Sequence, residues 1–116
     1  MSLILYGLKN CDTCRKALKA LSAAGLEHSF VDVRADGVSK DQIATWANAL
    51  GWQPLLNTKS ATWRGLEAAD KQDVDEAKAV GLMADHPTLI KRPVIEGAGG
   101  VTVGWTADVQ AGLGLG

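Results

Sequence analysis

The tightest constraint on this chain lies near its start. Leu3–Tyr6 is a run of four apolar residues closed by Gly7, and a few residues later Cys14, Ala17, Leu18, Leu21 and Ala24 recur at helical spacing until Gly25. His28–Val33, rich in β-favouring side chains, follows at once. Strand, helix and strand in this order predict a βαβ unit with parallel strands and a right-handed crossover. Gly25 suits the left-handed position that ends such a helix.

Both cysteines of the chain, Cys11 and Cys14, fall where the first loop becomes the helix. A chain of 116 residues supports one domain with a modest core. With 47% hydrophobic residues, 22% charged residues and a net charge of −1, it lacks the basic excess of a nucleic-acid binder, and no such partner is expected. The opening "MSLILYGLKN" has a short apolar run with no basic region before it, and no segment approaches a membrane span. A cytoplasmic location without membrane association is therefore expected. In that reducing compartment a close cysteine pair is more often catalytic or metal-binding than a structural disulfide.

A metal site is the weaker of those two. Two cysteines leave a four-ligand zinc site half complete, and His28 and His86 show no ligand spacing to them. Both histidines read as boundary or surface residues. Redox chemistry suits the pair better, because Cys-x-x-Cys after the first strand of a βαβ unit is a known redox setting. With Cys11 at or beside the N-cap, unpaired N–H groups and the positive end of the helix dipole stabilise a thiolate, the reactive form. Lys9 and Arg15 add positive potential, which Asp12 opposes. Cys14, three residues on, shares a helical face with Cys11 and is placed to resolve a mixed disulfide formed there. The alternative for Cys14 is a small apolar residue packed in the core.

Beyond residue 38 the pattern changes. Ser39 and Gln42 form a capping box before the apolar face Ile43, Trp46, Ala47 and Leu50, with Gly51 as the stop. "QPLLNTKSATWRGLEAADKQ" reads as loop with one short helical turn, and "DVDEAKAVGLMAD" as a helix ending before His86-Pro87. "PVIE" and "VTVGW" are strands joined by the hairpin turn "GAGG", and Thr106 can cap a last helix weakened by Gly112, Gly114 and Gly116. Trp46, Trp52, Trp63 and Trp105 read as core and rim packing. The sum is an α/β thioredoxin-like fold: a four-stranded mixed sheet in a single domain spanning residues 1–116, with a helical insertion at about 39–86.

"YGLKNCDTCRKA", "LLNTKSATWR" and "HPTLIKRPVI", in this order and at these separations, resemble the arsenate-reductase-related family that also includes the Spx regulators. The resemblance spans nearly the whole chain, and within the family it is strongest to the small glutathione-dependent thiol-reductase-like branch. It implies a thioredoxin-like fold, Cys11 as the reactive cysteine, and Arg92 as a residue holding an anion or thiolate beside it. Cys11, Cys14 and Arg92 are thus the expected catalytic residues, with Lys9, Asn10, Asn57, Arg64, Arg92 and Pro93 expected to bind substrate or glutathione. Pro93 matches the position of a cis proline facing the reactive cysteine, a bend that would let the Arg92 backbone bond an extended peptide.

The resemblance stops short of arsenate reduction. Members with that activity place three arginines around the oxyanion: after the mid-chain Leu-Leu, before the late proline and after the last strand. Here Asn57 and Trp105 occupy two of those positions and Arg92 alone remains, unless Lys59 or Arg64 compensates. A neutral amide and an indole cannot supply two guanidinium forks. The expected function is therefore thiol-disulfide reduction by a monomer, with no bound cofactor, glutathione as co-substrate and glutaredoxin as a possible partner. The competing expectation is an Spx-type regulator that binds RNA polymerase, in which the cysteine pair serves as a redox switch; "CDTCRKA" fits both.

Overall fold

A computed structural model of the chain describes residues 3–97 and 100–115. The thioredoxin-like arrangement is present. β1 (Leu3–Gly7) runs parallel to β2 (His28–Asp32), with Leu3 opposite His28 and Gly7 opposite Asp32. On its other side β1 pairs antiparallel with β3 (Val94–Gly97), which pairs antiparallel with β4 (Gly100–Val103), giving the order β2-β1-β3-β4. Gly97 pairs with Gly100, while the remainder of the expected "GAGG" turn, Ala98 and Gly99, lies outside the described residues.

The central strand explains why β1 reads as an unbroken apolar run. A strand with neighbours on both sides and cover on its faces has little use for alternation, and Leu5 and Tyr6 are both buried. α1 (Asp12–Ala23) buries Cys14, Ala17 and Leu21, the one-sided spacing of an amphipathic helix. It ends in a Schellman motif. Gly25 has φ of 72°, its N–H donates to Ser22 O at 3.1 Å, and the Leu26 N–H donates to Leu21 O at 3.0 Å. Leu5, Cys14, Ala17, Leu21 and Ile95 form the core around which Leu3, Leu18, Leu26, Phe30, Trp105 and Leu113 pack. α7 (Ala107–Gly112) closes this part of the chain, with Thr106 Oγ1 accepting the Val109 N–H at 3.2 Å.

The chain divides into two compact units. The first runs to Asp36 and resumes at Arg92; the second is Gly37–Lys91. Hydrogen bonds within the second unit account for its extent at the C-terminal end. Leu56 bridges Ile90, the Asn57 N–H donates to Leu89 O at 2.8 Å, and the Lys91 N–H donates to Leu55 O at 2.7 Å.

Inside this unit α2 (Lys40–Leu50) starts at Ser39, whose Oγ accepts the Gln42 N–H at 3.1 Å, and packs against α6 (Glu76–Asp85), started by Asp75. Between them the structure has three short helical turns in place of the one expected: α3 (Trp52–Leu55), α4 (Ala61–Arg64) and α5 (Ala68–Lys71). Four residues are too few to show a helical period, so local polar caps such as Ser60, which accepts the Trp63 N–H, are the only local signal. A further 3₁₀ turn at Pro87–Leu89 was also not anticipated.

Because Leu21 is fully buried beside Cys14, Leu21→Ala should cost about 2–5 kcal/mol of unfolding free energy, against less than about 0.5 kcal/mol for exposed Lys19→Ala. Urea unfolding of both variants checks this.

Candidate active site

The end of β1 delivers the chain into a three-residue loop, Leu8 to Asn10, and then into α1. Cys11 is the N-cap, in extended conformation with φ −92° and ψ 119°. Its N–H donates to Leu8 O at 3.2 Å, and its carbonyl accepts the Arg15 N–H at 2.9 Å, the first bond of the helix. The Cys11 side chain makes no capping bond of ordinary geometry, yet its sulfur lies at the open N-terminus and is only partly buried. Cys14, in the first turn, is fully buried, and both thiols are free.

The two sulfurs have opposite acid strengths. Burial works against a charge on Cys11, but the N–H of Cys14, the Cys14 thiol and the Arg92 guanidinium together bring it below the ordinary thiol value. Burial also dominates at Cys14, where it is reinforced by the negative charge of Cys11 and only partly offset by the Leu8 N–H, so that thiol is pushed up to about 11. The arrangement favours ionisation at Cys11 over Cys14, with the Cys14 thiol placed to hydrogen-bond the Cys11 sulfur. Such a site can attack a disulfide and then protonate or resolve what it has formed.

Gly7 makes this possible. A Cβ added there would lie 2.4 Å from Cys14 Sγ, so only glycine lets the buried sulfur rest against the end of β1. Arg92 enters from the other side of the sheet order, immediately before β3, and the Arg92-Pro93 bond is cis. Pro93 is fully buried and its carbonyl accepts the Gly104 N–H at 2.8 Å, tying the approach to β3 to the end of β4.

Of the residues expected to form a site, Cys11, Cys14, Arg92, Pro93, Lys9 and Asn10 all belong to the first unit, and Asn57 and Arg64 to the second. Lys9 and Asn10 are exposed. The Lys9 backbone does more than its charge: its N–H donates to Asp32 Oδ2 at 3.3 Å and its carbonyl accepts from Arg15 Nε at 3.1 Å. Arg15 is also paired with Asp12 at 3.6 Å on an open surface, a contact of little energetic weight. Asn57 Oδ1 caps the Lys59 N–H at 3.1 Å, and Arg64 is exposed at the end of α4. Gly7 and Asp32 were missed from the sequence, where Gly7 reads as a strand end and Asp32 as one polar residue of a strand. Among the described residues no group of three or more His, Cys, Asp or Glu is placed to hold a metal ion, and no helix is long and apolar enough to cross a membrane.

Two outcomes are expected from this electrostatic arrangement. Removing the guanidinium in Arg92→Ala should raise the Cys11 pKa and slow iodoacetamide alkylation at neutral pH by about tenfold, measured as rate against pH. The raised pKa of Cys14 acts at the alkaline end: its neutral form contributes stability fully below the unfolded thiol value, and that contribution declines as pH rises from about 9.0 through about 11. Urea unfolding across that window should show a loss of stability that is smaller in Cys14→Ala.

Over residues 6–111 the chain matches the ArsC family. An uncharacterized protein of Haemophilus influenzae is 41% identical over 101 residues, covering 87% of this chain and 89% of its own. Among solved structures, the YFFB protein is 41% identical with a TM-score of 0.90, covering 95% of this chain and 96% of its own. An arsenate reductase (ArsC) related protein from Brucella melitensis is 35% identical with a TM-score of 0.76, covering 96% and 93%. The global transcriptional regulator Spx of Streptococcus pyogenes is a more distant relative, 22% identical over 106 residues that cover 90% of this chain and 78% of Spx. With a match over residues 6–111, most of its length, the chain belongs to the ArsC family.

Proposed function

We propose that this protein is a thiol-disulfide reductase that acts on glutathione mixed disulfides. The observation that carries the reading is the unequal pair of sulfurs, an acid-strengthened Cys11 at the start of α1 beside a buried Cys14 and Arg92. In the first step the Cys11 thiolate attacks one sulfur of the substrate disulfide. A new bond forms at Cys11, and the displaced sulfur leaves as a thiolate that takes up a proton. In the second step Cys14 gives up its proton and its sulfur attacks Cys11, forming the Cys11–Cys14 disulfide and releasing the bound thiol. Two molecules of glutathione, oxidised together to glutathione disulfide, return both cysteines to thiols.

Arg92 suits a substrate that carries a carboxylate near its disulfide, as glutathione does. Arsenate asks for more. Trp105 packs against the hydrophobic core, and the Asn57 side chain is engaged with its own turn, so neither supplies a cation. Losing two charge-assisted hydrogen bonds at about 1.5–3 kcal/mol each weakens oxyanion binding by roughly two to four powers of ten if the losses add.

With glutathione and glutaredoxin supplied, the protein should turn over a glutathione mixed disulfide and show a kcat/KM for arsenate at least about a hundredfold lower. Cys11→Ser should abolish turnover, and Arg92→Ala should slow it more than Arg64→Ala. Efficient arsenate turnover, or no disulfide turnover combined with retention of RNA polymerase in a pull-down, would overturn the proposal.

A further inference from the structure

Asp32 ends β2, is 7% exposed, and is the buried charged residue among the described residues. Its strand partner on β1 is Gly7, the residue against which Cys14 packs, and the Val33 N–H donates to Gly7 O at 2.9 Å. The two oxygens of its carboxylate do different things. Oδ1 accepts the N–H groups of Arg34 and Ala35, each at 2.9 Å, and so closes the turn after β2. Oδ2 accepts the Lys9 N–H at 3.3 Å, reaching across to the loop between β1 and Cys11. That loop touches both cysteines, since Leu8 offers its N–H to the Cys14 sulfur and its carbonyl to the Cys11 N–H.

From this geometry we infer that Asp32 is a positioning residue for the cysteine pair. Its carboxylate clamps the Leu8–Asn10 loop through the Lys9 N–H, so that the loop holds Cys14 where its thiol can donate to Cys11. The inference rests on the reading of Cys11 as the nucleophile. The charged groups around Asp32 are Lys9 and Arg34 and, on its own turn, Asp36, whose Oδ2 accepts the Asp32 N–H at 3.1 Å. Bonds from Ala35, Arg34 and Lys9 keep the carboxyl below the ordinary carboxylate range despite its burial, so it is ionised wherever Cys11 reacts.

The division of labour between the oxygens supplies a selective substitution. In Asp32→Asn the amide oxygen can keep Arg34 and Ala35, while the amide NH₂ faces the Lys9 N–H and cannot accept from it. The variant is expected to unfold cooperatively like wild type. Its Cys11 alkylation at neutral pH should be about three- to tenfold slower, with the rate–pH profile displaced to higher pH. A folded Asp32→Asn protein with the wild-type profile overturns the inference. Should the variant fail to fold, wild type alone decides: the Lys9 amide proton must shift in NMR with the same acidic midpoint as those of Arg34 and Ala35. A Lys9 amide that stays still while the other two move also overturns it. Neither readout uses glutathione or turnover, so a failure of the proposed reductase activity and a failure of this clamp are separate results.

Discussion

The contact between the Cys14 sulfur and the bare backbone of Gly7 sets the relation of the first helix to the first strand. A methyl group at residue 7 would lie 2.4 Å from that sulfur, so the helix sits as close to the sheet as the main chain allows. The closeness has two effects. It seats Cys14, Ala17 and Leu21 against Leu5 and Ile95, which is the hydrophobic core of the unit. It also removes Cys14 from water and makes ionisation there unfavourable, while Cys11, one helical turn earlier, keeps partial access to solvent and to the helix N-terminus. Packing and chemical asymmetry have one origin.

The stabilisation of charge at Cys11 comes from short-range, oriented groups. A main-chain N–H, a thiol and one guanidinium outweigh the burial of the sulfur. Long-range attraction to exposed cations contributes little in high dielectric, and Arg15 has the opposite charge of Asp12 beside it at 3.6 Å on an open surface. The cations flanking the motif therefore matter less for their charge than for where their main chains go. Lys9 is the example: its side chain is exposed, and both of its main-chain polar groups are hydrogen-bonded.

Much of this was legible in the sequence. The βαβ start was visible because a central strand reads as an apolar run and a one-sided helix repeats at three and four residues. The roles of Ser39 and Thr106 followed from the chemistry of N-caps, and each accepts the expected N–H. Cys11 could be placed at a helix start from spacing alone, and Arg92-Pro93 from the resemblance. What stayed hidden depends on contacts between residues distant along the chain. Nothing near Asp32 announces that it faces Lys9, 23 residues away, and the sequence does not distinguish a glycine that ends a strand from one that makes room for a sulfur. The four-residue helices α3 to α5 lie below the length at which periodicity is measurable.

The central claim is that Cys11 ionises readily while Cys14 resists ionisation. It is tested most directly by NMR titration of the two cysteine β-carbons in the reduced wild-type protein, each assigned separately. The account predicts that Cys11 titrates first, below the ordinary thiol value of 9.0, and that Cys14 follows near 11. A titration in which Cys14 ionises first, or in which both sulfurs ionise together at the ordinary value, would contradict it.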